Sequence, residues 1–176
     1  MRPATRDQSG NARPEYSFVL DDAELARYRA MADHALAHEE PAWIAAGIVA
    51  GASVVDLGCG PGTYLPALAA RVGADGHVIA VGRSPDAVAR ATALVGSLDL
   101  EGRIELRCRE CDASGIAERS VDSVFVRNVL VHNGPNLGSI LSHVGSILRE
   151  GGRVLLAEPD LTGLRLPAEA PPRRRL

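Results

Sequence analysis

Val54-Val55-Asp56-Leu57-Gly58-Cys59-Gly60-Pro61-Gly62-Thr63 is the stretch whose reading decides the fold. Its first half is an apolar run suited to a buried strand, and its second half sets glycines at 58, 60 and 62 before helical spacing resumes. Residues without a Cβ let the backbone turn sharply and approach a ligand closely, while the next helix points its free amide groups at the same spot. Asp56 adds a carboxylate at the strand end that accepts hydrogen bonds. Strand-to-helix turns of this kind also bind dinucleotides, but that fingerprint spaces its glycines G-x-G-x-x-G; here the run is G-x-G-x-G, with Thr63 in the sixth position.

On both sides of this turn the sequence falls into a regular order. From Ser53 onward strand and helix patterns alternate, with strands expected at 53–57, 77–81, 103–107, 121–126 and 153–157. Helices are expected at 63–72, at 84–98 behind Ser84-Pro85-Asp86, and at 135–148, whereas 112–120 reads as short and irregular. The expected fold is α/β: a Rossmann-like, doubly wound sheet of about five parallel strands spanning 52–160. Upstream, residues 16–51 read as N-terminal cap helices. Asp21 caps the first, with Glu24 three residues on and an apolar face of Leu25, Tyr28, Ala32, Ala35 and Leu36. Pro41 opens the second, with Trp43, Ile44 and Ile48 inward and Gly51 ending it. Residues 1–15 read as a flexible segment and 161–176 as a Pro/Arg-rich tail.

Composition narrows the functional classes. One domain fits 176 residues, and a net charge of −3 gives no electrostatic footprint for nucleic acid. No apolar stretch reaches the ~20 residues needed to span a bilayer. The three cysteines, Cys59, Cys108 and Cys111, read as reduced thiols of a cytoplasmic protein, since no export signal precedes them. Cys108-x-x-Cys111 lacks a second pair at ligand spacing, and His34 with His38 reads as a solvated pair, so no metal is expected. The sequence contains no lysine, so every basic side chain apart from histidine is arginine.

The glycine turn and the order of elements resemble class I S-adenosylmethionine-dependent methyltransferases. The resemblance implies S-adenosylmethionine as cofactor, its methionine part lying over Asp56, Gly58, Cys59, Gly60 and Gly62. It implies an adenine contact at Asp112 and Ala113, with a backbone carbonyl near Arg127 facing the cofactor's ammonium group. His132 falls where relatives place acceptor or catalytic groups, and an imidazole there can take a proton from a hydroxyl or amine; it also reads as a satisfied histidine at a helix entrance. Tyr16 and Tyr28 read as lid residues or as packing aromatics. The implied acceptor is a small molecule.

Two features depart from the family pattern. Relatives end the second strand with an acid that binds the ribose hydroxyls; here Gly82 stands at that site. Bonds to a charged acceptor contribute roughly 1.5–3 kcal/mol, so weak cofactor binding is expected. Arg83 beside it suits a 2′-phosphate, which keeps an NADP-dependent reduction in view, along with a cyclisation on the same fold and a catalytically weak partner subunit. The second departure lies after the fifth strand, where the resemblance implies an antiparallel strand pair of roughly 35 residues with its connections. Only 18 residues follow Glu158, and they are rich in proline and arginine. The expectation is a domain cut short after that strand, whose open edge is covered in a homo-oligomer or by a partner chain.

Overall fold

The computed structural model describes residues 21–159. Within them five strands form one parallel sheet: β1 (Ser53–Leu57), β2 (His77–Gly82), β3 (Ile104–Cys108), β4 (Val121–Arg127) and β5 (Leu148–Ala157), in the order β3-β2-β1-β4-β5. Helix α1 (Asp22–His38) and the short α2 (Glu40–Ala45) precede the sheet. α3 (Leu65–Val72) and α4 (Pro85–Ser97) cross over from β1 to β2 and from β2 to β3, and α5 (Leu137–Ile147) from β4 to β5. This is the doubly wound α/β fold expected. Tyr16, Phe18 and the tail 161–176 lie outside the described residues.

The alternation of side chains along each strand builds two cores. Val54, Val78, Ala80, Phe125 and Leu155 face α3 and α4. Val55, Leu57, Ile79, Val81, Val124 and Val126 face the opposite layer, where α5 seats Ile140, Val144 and Ile147. Both faces of the sheet are covered, which is why the strands read as nearly continuous apolar runs. Asp56 shares a face with Val54, so its carboxylate is carried into a core.

Several expected boundaries move for local reasons. α2 ends at Ala45 rather than at Gly51, because the chain turns at Gly47, whose φ of +79° only glycine adopts freely; Ile44 is left exposed. α5 begins two residues late, after two single 3₁₀ turns at Leu130–His132 and Gly134–Asn136, and Leu137 and Leu141 face outward. β5 starts at Leu148, earlier than expected, and Gly151 at φ +74° takes up a register shift between Val121 and Ser123. Of the face expected on α1, only Ala32 and Ala35 are buried.

α2 and the start of α3 are fixed by an aromatic cluster. The Trp43 and Phe125 rings meet edge to face at 5.2 Å, and Tyr64 packs 5.4 Å from Phe125. Phe125 is fully buried at the hub. Phe125→Ala is therefore expected to destabilise the fold by about 3–5 kcal/mol, measured by urea unfolding with the single tryptophan, Trp43, as fluorescent reporter.

Candidate functional site

Between β1 and β4 the strand order switches, since β1 pairs with β2 on one side and with β4 on the other. Chains leaving the carboxyl ends of these two strands diverge and open a crevice. The crevice holds about 820 Å³ of empty space, open solvent included. Its floor is the turn after β1, its walls are the ends of β2 and β4, and Tyr28 and Met31 of α1 close it from outside. Tyr28 thus stands where a lid residue would.

The turn is held against the sheet by its own backbone. The amides of Gly58 and Cys59 both donate to the Val81 carbonyl, at 2.8 and 2.9 Å. Gly58 has φ +94°, and a Cβ placed on it would lie 2.3 Å from Val129 Cγ2. Gly60, at φ +53°, faces the cleft, with Tyr28 Cε1 as its nearest neighbour at 3.8 Å. Gly62 does not line the cleft; it lets the turn lie on α4, where a Cβ would come 2.9 Å from that of Ala91.

Three residues that line this crevice carry buried polar atoms without a hydrogen-bond partner among the described residues: Asp56 Oδ2, Tyr64 Oη and Arg127 Nε. Such atoms are costly unless something pairs with them. Burial pushes the Asp56 carboxyl up to about 7. Arg127 is anchored from behind, donating from Nη1 to Glu39 Oε2 at 2.7 Å, and its guanidinium stands 5.4 Å over the Tyr64 ring. Burial raises the Tyr64 hydroxyl, against the opposing pull of Arg127.

The remaining expected site residues divide. Gly82, Arg83, Arg127 and His132 line the cleft, with His132 exposed at its mouth. Asp112 and Ala113 do not. The Asp112 carboxylate turns to α5 and accepts from Ser139 Oγ at 2.9 Å, and it is Cys111, one residue earlier, that reaches the cleft. Space at Gly82 is also taken: a Cβ there would lie 3.0 Å from Val88 Cγ2 and 3.2 Å from Cys59 Sγ. Burial pushes the Cys111 thiol up to about 12 and raises that of Cys59 as well, so both pack as neutral groups. Among the described residues no cluster of three or more His, Cys, Asp or Glu could hold a metal, and no helix is long and apolar enough to cross a membrane.

Tyr64, Met31 and Arg127 line the cleft, and neither the first two nor the Arg127 side chain was singled out from the sequence. Tyr64 directly follows the glycine turn, and a large hydroxylated ring at the first position past such a turn was the available signal. Met31 stands three residues from Tyr28, on the same side of α1.

An open parallel sheet with a glycine turn at its switch point is the doubly wound α/β architecture, in which ligands bind at the carboxyl ends of the strands. Residues 48–171 match the family model of a methyltransferase domain, and the chain belongs to the class I S-adenosylmethionine-dependent methyltransferase family. It is 32% identical over 152 residues to an arsenite methyltransferase of Halobacterium salinarum, a match covering 86% of this chain and 37% of the relative. The chain spans about a third of the length of the curated relatives it matches. Among solved structures, a SAM-dependent methyltransferase from Aquifex aeolicus superposes with TM-score 0.67 at 21% identity, covering 84% of this chain and 77% of that one. A chain from the Haloferax volcanii complex of the Trm112 methyltransferase activator gives TM-score 0.62 at 27% identity, covering 77% and 57%.

Two predictions follow from the site's geometry and charge. Gly58→Ala is expected to cost at least about 2 kcal/mol, since Val129 must move and the backbone is strained, whereas Gly60→Ala costs about 1 kcal/mol for its left-handed conformation alone; chemical denaturation of both variants separates them. The second concerns Asp56, whose carboxyl ionises near 3.8 when unfolded and near about 7 when folded. Between those values the folded state keeps a proton that the unfolded state has lost, so stability falls as pH rises from 3.8 to about 7 and is level above. The gap corresponds to about 4 kcal/mol. Asp56→Asn is expected to abolish this slope in unfolding experiments run from pH 4 to pH 8.

Proposed function

We propose that this chain binds S-adenosylmethionine in the β1–β4 cleft and transfers its methyl group to a small-molecule acceptor. The observation that carries this reading is the set of buried, unpartnered polar atoms above the glycine turn. A ligand end bearing an ammonium and a carboxylate matches them, with Asp56 Oδ2 accepting and Tyr64 Oη and Arg127 Nε donating. The remainder of such a ligand would run past Gly60 toward Gly82 and Cys111, with Asp112 behind. When bound, S-adenosylmethionine supplies a methyl group activated by its sulfonium. The chain's own part is to orient: Gly60 allows close approach, Tyr28 and Met31 exclude water, and His132 at the mouth takes the proton of an acceptor hydroxyl or amine at its imidazole nitrogen.

Arsenite is the acceptor named for the Halobacterium relative, and arsenic(III) for the Chlamydomonas reinhardtii structure that this fold also matches, at 24% identity and TM-score 0.57. The thiols nearest the cleft, Cys59 and Cys111, are buried and protonated, which favours an organic acceptor over a thiol-captured one. A second reading, a weakly active subunit working with a partner chain, draws on two observations. Gly82 offers no carboxylate to a ribose, and β5 exposes Val154 and Leu156 while pairing only with β4 among the described residues. We take the β5 edge as the seat of a separate polypeptide; the activator complex among the structural neighbours supports the existence of a partner chain.

Calorimetric titration with S-adenosylmethionine, S-adenosylhomocysteine and NADP tests the reading. The expected result is binding of the two sulfur nucleosides, loss of at least about tenfold in Gly60→Val, and no binding of NADP. Preference for NADP, or an unchanged affinity in Gly60→Val, overturns it. Restoring an acid by Gly82→Asp is expected to tighten binding about tenfold or more only when Val88→Ala and Cys59→Ala together make room for the new side chain. Sedimentation at micromolar concentration, with arsenite and organic acceptors assayed on the same sample, reads the oligomeric state beside activity.

A further inference from the structure

The segment after β4 crosses the rim of the cleft as a strap, and it is clamped at both ends. At one end Asn128 donates its amide to the Ala157 carbonyl at 3.0 Å, then turns with φ +53°. That turn aims the next three amides the same way. Val129 N and Leu130 N donate to Glu158 Oε1, both at 2.9 Å, and Val131 N donates to Oε2 at 3.2 Å. At the other end Asn133 Nδ2 donates to the Val129 carbonyl at 2.6 Å, and Asn133 Oδ1 accepts from Arg83 Nη1 at 3.4 Å. The strap therefore ties β5 to the end of β2 across the mouth. It carries Val129 onto Gly58 and His132 to the opening.

We infer that Glu158 is a positioning residue for the cleft: its carboxylate, on three successive backbone amides, fixes the strap that sets Val129 against the glycine turn and His132 at the mouth. Glu158 itself does not line the cleft. A carboxylate accepting several amide hydrogens makes stronger bonds than a neutral acceptor and needs all three donors aligned, so it specifies one conformation of the strap. Without it, water can satisfy each amide separately, and the strap loses its single position while the sheet beneath keeps its packing. The ligand used to read the effect rests on the proposed methyl-donor site; the placement of the strap does not.

The test uses the full chain with Glu158→Ala, Glu158→Gln and, as a control for general destabilisation, Val95→Ala in the core under α4. Three readouts are taken: hydrogen exchange at the amides of 129–131, the His132 imidazole Cε1–H resonance, and the affinity for S-adenosylhomocysteine. In Glu158→Ala the three amides are expected to exchange about tenfold faster or more, the His132 resonance to move, and affinity to fall about tenfold or more. Glu158→Gln keeps one acceptor oxygen for Val129 and Leu130 but loses the charge and sets an NH2 group against Val131 N, so its effects are expected to fall between wild type and Glu158→Ala. Val95→Ala is expected to lower the melting temperature without moving His132 or the affinity. A stationary His132 resonance and unchanged exchange in Glu158→Ala overturn the inference, as does a Val95→Ala variant that reproduces its effects. If the wild type fails to bind S-adenosylhomocysteine, the methyl-donor reading falls, and the role of Glu158 is decided by exchange and by His132 alone.

Discussion

Between the backbone of Gly58 and the side chain of Val129 there is room for hydrogen and for nothing larger. That contact joins the turn after β1 to the strap after β4, the two segments that diverge at the switch in strand order. If either moves, the crevice changes shape. Much else in the upper part of the sheet serves to keep them in place: Val81 receives the two amides of the turn, Asn128 bends the strap, and Glu158 gathers its amides. The site's geometry is thus a property of backbone fit more than of reactive side chains.

Charge in the cleft follows from the same packing. Asp56 reaches a core face because strand alternation sends it there, and burial then holds its carboxyl near neutrality. Arg127 avoids the corresponding penalty because Glu39, at the junction of α1 and α2, pairs with it from outside the cleft. The cap helices therefore do more than cover. Through Glu39 they pair with the Arg127 guanidinium that stands over the Tyr64 ring at the end of β4.

How far this was legible in the sequence depends on the range of the interaction concerned. The β1 turn, the alternation that follows and the irregular 112–120 segment were readable because period, glycine spacing and caps are local signals. Residues 56, 58, 60, 82, 83, 127 and 132, which line the cleft, were legible there for that reason. Asp112 was not, because whether a loop carboxylate faces a cleft or a neighbouring helix is decided by Ser139, 27 residues away. Tyr64 and Glu158 were missed on similar grounds: one looked like a helix start and the other like the end of a strand, and only the fold shows what they face. The end of α2 was misjudged because two glycines, 47 and 51, both take positive φ, and the sequence does not rank them.

The central position of β1 also has a consequence for biosynthesis. Its pairing with β2 is available soon after it leaves the ribosome, but the bond from Ser53 N to the Asp122 carboxylate, and the whole β4 side of the strand, wait for a segment 69 residues later. At translation rates of about 5–20 residues per second, one edge of this buried strand stays open for roughly 3–14 s in the growing chain. Until β4 arrives, the β1–β2 half is a small sheet with a sticky free edge, and the glycine turn has no strap to rest against. The cleft consequently cannot form before β4 and the strap behind it have been made, and until then β1 keeps an unpaired edge.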